Sequence, residues 1–109
     1  MTRKEALAKL IAAFDAGNLE SVSAEHIYIA FGKHLQRRFW ECWHGSLDAA
    51  KALHEAVLPG WRWAIAEGAT GCRAAVQASY GSPEDEGIST CPARAWLLAI
   101  LHALRAMEH

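Results

Sequence analysis

A chain of 109 residues with 52% hydrophobic content is expected to form one globular domain over residues 1–109, and that composition excludes intrinsic disorder. Eleven Lys/Arg against twelve Asp/Glu leave a formal net charge of −1. This balance lacks both the basic footprint of a general nucleic-acid binder and the acidic excess of a whole-molecule DNA mimic. The longest strongly apolar run, Ala95 to Ala103, is far short of the ~20 residues that a membrane-spanning helix needs. The first ten residues, MTRKEALAKL, lack the apolar core and cleavage site of a secretory leader, so a cytoplasmic location is expected. Cys42, Cys72 and Cys91 are odd in number and scattered. They suggest reduced thiols, at least two of them buried, rather than a disulfide framework.

The first predicted element is a helix opened by a capping box, Thr2-Arg3-Lys4-Glu5. Leu7, Leu10, Ile11 and Phe14 line one face of it, and Gly17-Asn18 supplies the stop. A short second helix is predicted from Ser23 through Ile27, Ala30 and Phe31 to Gly32. The segment Lys33–His44, KHLQRRFWECWH, is compatible with either a helix or an extended arm. Ser46 caps the next helix, Leu47–Leu58, with Asp48 in its first turn and Ala50, Leu53 and Val57 facing inward. Pro59-Gly60 breaks it. A strand Trp61–Ala66 follows, with Trp61, Trp63 and Ile65 on one face and Arg62, Ala64 and Ala66 on the other. A turn over Glu67–Gly71 and a partner strand Cys72–Tyr80 complete a hairpin over 61–80. GSPEDEGIST reads as a polar loop over 81–90. Pro92 opens a final helix that is apolar on nearly every side and therefore expected to be the most buried. The fold class is α+β, with three to four helices on a small antiparallel sheet. Two strands alone are marginal in water. Either residues 33–44 add a third strand, or the sheet is completed across a homodimer.

GSLDAAKALHEAVLPGWRWAI and CPARAWLLAILHALRA resemble a family of small proteins encoded by phages and prophages of alphaproteobacteria. That resemblance covers about residues 45–106. It implies a small α+β layer structure and a phage context, and it brings no established activity and no functional residues. Where many relatives have Thr-Pro before the last helix, this chain has Thr90-Cys91-Pro92.

Catalytic and metal chemistry find little support. Asp48 caps its helix, and His54 and Glu55, being adjacent, project about 100° apart and cannot share a site. The Cys and His spacings do not match paired zinc ligands; buried thiols and exposed imidazoles account for these residues, and no metal or cofactor is expected. No nucleophile elbow, Walker loop or dinucleotide fingerprint is present, so an enzyme is not expected. His102 and Arg105 near the end of the last helix are explained by its dipole.

Two surface candidates remain. Arg37, Arg38, Trp40 and Trp43 combine the residue types in which interface energy concentrates, unless the aromatics fill core and the arginines form a solvated face. Glu84, Asp85 and Glu86 offer an acidic stretch that could meet a Lys/Arg-rich groove, unless it merely keeps a loop wet. The expected function is a non-catalytic phage inhibitor. Its closest analogy is an anti-CRISPR protein that binds the host CRISPR surveillance complex and blocks target DNA, without itself binding nucleic acid or membrane. The alternatives are a structural or accessory phage protein that mainly self-associates, and a weak DNA-binding regulator. A homodimer is expected.

Overall fold

The computed structural model describes residues 1–108. The predicted caps are formed: Thr2 Oγ1 accepts from the Glu5 amide while Glu5 reaches back to the Thr2 amide, opening α1 (Arg3–Asp15). After a 3-10 turn at Leu19–Ser21, Ser23 caps α2 (Ala24–Phe31). The ambiguous segment resolves into a second 3-10 turn, Lys33–Leu35, running into α3 (Gln36–Trp43). Phe39, Cys42 and Trp43 fall on one side of α3 and are buried. That stripe supplies the helix with its packing face. Ser46 accepts from the Ala49 amide to start α4 (Leu47–Val57).

The break after α4 is a tight turn, with the Trp61 amide donating to the Leu58 carbonyl at 3.1 Å. Pro59 presets the first central φ, and Gly60 at φ +81° takes the left-handed position that a side chain would disfavour. Strand β1 (Arg62–Gly68) then pairs antiparallel with β2 (Gly71–Gln77) across a turn at Ala69-Thr70.

The third strand is β3 (Glu84–Ser89), giving the order β1-β2-β3. This corrects two expectations. Residues 33–44 contribute a helix and not a strand, and the third strand comes from residues 84–89 of the same chain. Residues 84–89 are not loop: Asp85, Gly87 and Ser89 pair with Val76, Ala74 and Cys72 on the inner face, while Glu84, Glu86 and Ile88 point outward. The alternation is regular, but its inward members are small or polar, so it carries no hydrophobic signal. With α3 present there are five α-helices among the described residues, where three to four were expected.

Helix α5 (Pro92–Met107) runs through the middle of the structure. One side packs on β2 and β3; the other receives α1, α3 and α4. A helix covered on both sides must be apolar nearly all round, and Ala93 through Ile100 are buried apart from Arg94. Close approach to β3 depends on Gly87, where a Cβ would strike the Ala95 carbonyl and come within 2.7 Å of the Ala99 amide nitrogen. The sheet thus has one face covered by α5 and one face open to solvent. No described helix is long and apolar enough to cross a membrane.

Candidate functional site

His54 and the buried thiols are committed to the scaffold. His54 is buried on α4. Trp96 Nε1–H of α5 donates to its Nδ1 at 3.2 Å, and its Nε2 lies 3.0 Å from the Trp61 carbonyl. Since the indole can only donate and the carbonyl can only accept, the ring is the Nε2–H tautomer with both nitrogens engaged. The expectation of an exposed imidazole is therefore wrong at position 54. Its burial was hidden because it lies just outside the inward stripe of Ala50, Leu53 and Val57.

Cys42 and Cys72 are buried, and Cys91 is half-buried at the start of α5. Burial pushes the Cys42 thiol up to about 12, and its Sγ donates to the Ala93 carbonyl at 3.3 Å. Burial also raises Cys72. Both thiols are held in the protonated, weakly nucleophilic form at neutral pH. Among the described residues, no three His, Cys, Asp or Glu side chains are grouped to hold a metal ion.

The predicted patch on α3 divides. Trp43 lies inside: its ring meets Phe14 edge-on with centroids 5.4 Å apart, and its Nε1 donates to Glu20 at 3.2 Å. Arg94 stacks its guanidinium over the same ring and donates to the Trp43 carbonyl. Trp43 is thus a core residue, not an exposed anchor. Trp40 is half-buried, edge-on to Phe39. Arg37 and Arg38 stay in solvent, each beside Glu41 on its own helix.

The acidic trio also divides, because consecutive strand residues alternate faces. Glu84 and Glu86 lie on the open face, and Glu86 accepts a close hydrogen bond from Arg73 at 2.6 Å. Asp85 points to the α5 side, where burial raises its carboxyl above the usual carboxylate range and the nearby His102 partly offsets that rise. An open cleft of about 690 Å³ runs along this border, lined by Lys4, Asp85, His102, Arg105 and Glu108 among others. Acidic and basic groups alternate around it, so it favours no single charge.

The open face of the sheet is where exposed anchors collect. Arg62 lies 3.5 Å above the centre of the Tyr80 ring, and that ring is 82% exposed. Ile88 is 63% exposed. Between them the small side chains of Ala64, Ala66 and Ala75 leave the surface low, and the Arg73–Glu86 pair crosses it. Arg and Tyr are residue types enriched in interface hot spots, and a low apolar floor edged by charge has the usual anatomy of a contact patch. Sequence reasoning did not select these residues. The available signal was the outward half of the strand alternation, Arg62-x-Ala64-x-Ala66, but Ile88 and Tyr80 join it only once β3 is formed.

Comparison with protein-family models, with curated proteins and with solved structures finds no match.

Proposed function

We propose that this chain is a protein-binding module whose contact surface is the open face of its sheet. The observation that carries this is the coincidence of the stacked Arg62–Tyr80 pair, exposed Ile88 and the Arg73–Glu86 pair on a sheet face that no helix covers. Non-catalytic action is supported by His54, Cys42 and Cys72, which are engaged or protonated within the fold. Glu84 and Glu86 add carboxylates to the same face, a chemistry suited to Lys/Arg groups that otherwise hold phosphate.

The finer reading draws on the phage-protein resemblance of residues 45–106: an inhibitor that occupies a DNA-binding surface of a host complex, of the anti-CRISPR kind. A tagged pull-down from a bacterium expressing a CRISPR system tests it, with competition by target DNA as the second step. Recovery of surveillance-complex subunits, lost on Tyr80→Ala or Arg62→Glu, is the expected result. Recovery that both variants retain would remove the open face from the argument. Absence of any surveillance subunit would remove the inhibitor assignment.

A further inference from the structure

Strand β1 has a free edge seven residues long, containing no proline and exposed along its length apart from half-buried Ile65. The Ala69-Thr70 turn closes on the Gly68–Gly71 pair, and the pair that closes a two-residue hairpin is hydrogen-bonded. Counting back in twos, Ala66, Ala64 and Arg62 direct their backbone groups to β2. Glu67, Ile65 and Trp63 direct theirs away from the sheet, towards solvent.

Natural edges are normally blunted by charge, proline, a bulge or a covering element. The far edge follows this rule, because β3 carries Glu84, Asp85 and Glu86 in succession. The β1 edge does not: its middle residues, Trp63-Ala64-Ile65-Ala66, are uncharged. Trp63 stacks on Trp96 with centroids 4.3 Å apart, yet remains 45% exposed where the helical layer ends.

We infer that the β1 edge pairs with the β1 edge of a second copy of this chain, antiparallel and centred on Ile65, to form one continuous six-stranded sheet. A two-fold axis normal to the sheet keeps inner faces together, so residues of like parity must face one another. Centring on Ile65 sets Ile65 against Ile65, Ala64 against Ala66, Trp63 against Glu67 and Arg62 against Gly68. Every strand residue is then used, no like charges stand opposite, and the outward backbone groups of Trp63, Ile65 and Glu67 are satisfied. Trp63 gains the partner's Ile65 as a diagonal neighbour on the inner face. The same operation centred on Asp85 or Glu86 of β3 opposes carboxylate to carboxylate, whereas the centre of β1 is uncharged. This surface is distinct from the open face, so the two assignments fail independently.

Sedimentation velocity of the full chain over an about hundredfold concentration range reads the association, with twice the monomer mass expected at the upper end. Amide exchange of the unaltered protein reads the register. In the pair, the Trp63, Ile65 and Glu67 amides become as protected as those of Ala64 and Ala66; in a monomer the two sets alternate. Ile65→Pro removes an outward N–H and no bond to β2, so it is expected to give a monomer with unchanged far-ultraviolet circular dichroism. A chain that stays monomeric throughout, or a dimer whose Trp63, Ile65 and Glu67 amides exchange freely, overturns the proposal. The exchange pattern decides the matter even if Ile65→Pro does not fold. A dimer that persists in Ile65→Pro but dissociates in Tyr80→Ala would place the copies face to face, and likewise overturns it.

Discussion

Replacing His54 by Leu keeps roughly the same volume but removes both ring nitrogens. The Trp96 N–H is then left in a site where Trp96 is 2% exposed and water has little access. A buried donor without a partner costs about 1–3 kcal/mol. The Trp61 carbonyl also loses its donor, but Trp61 is only half-buried, so water replaces part of that bond and the added cost is ~1 kcal/mol. The total, about 3 kcal/mol, is a large share of the ~5–15 kcal/mol that holds a domain of this size together. It corresponds to a fall in Tm on the order of 10–20 °C. Urea unfolding followed by tryptophan fluorescence and circular dichroism measures the loss, and the unfolding slope should stay unchanged. A double-mutant cycle isolates the pair: in Trp96→Phe the orphan donor no longer exists, so the double variant should cost ~1–2 kcal/mol less than the sum of the singles. Strict additivity, or a His54→Leu variant within about 0.5 kcal/mol of the parent, would show that the His54–Trp96 bond does not hold α4 to α5.

The remaining predictions concern packing, titration and thiol access. Gly87→Ala drives a Cβ into the Ala95 carbonyl of α5 and should cost about 3 kcal/mol or more, with loss of the near-ultraviolet tryptophan signal; a variant as stable as the parent would contradict the close helix–strand approach. Asp85 has its folded pKa raised by burial, with His102 opposing, so the folded state binds the proton more tightly than the unfolded chain. Its contribution to stability therefore falls as pH rises from the unfolded carboxylate range through the folded value. Asp85→Asn should raise the neutral-pH denaturation midpoint and remove this downward component of the pH profile; a lowered midpoint would mean that the charged form is stabilised in place. Thiol titration of the native protein with a disulfide reagent should modify half-buried Cys91 first, leaving Cys42 and Cys72 unreactive until denaturant is added, and rapid reaction of Cys42 would contradict its burial.

The sequence by itself determined the helix starts and the hairpin, because caps, breakers and alternation are local. Thr2, Ser23, Ser46 and Pro92 each open the helix expected of them, and Pro59-Gly60 makes the turn that leads into β1. The all-round apolar character of the last helix marked it as the most buried, although only the structure showed that a sheet and a helical layer cover it from opposite sides. Tertiary structure alone decided the rest. Glu84–Ser89 became a strand because β2 offered an open edge and α5 could approach closely at Gly87, a pairing that poor local strand propensity cannot announce. Trp43 turned inward because α3 is amphipathic and Glu20 and Arg94, distant in sequence, receive it. The contact surface moved with these events: Arg62, Tyr80 and Ile88 share a face only after the third strand has formed, since a surface made by pairing distant segments has no contiguous record in the chain.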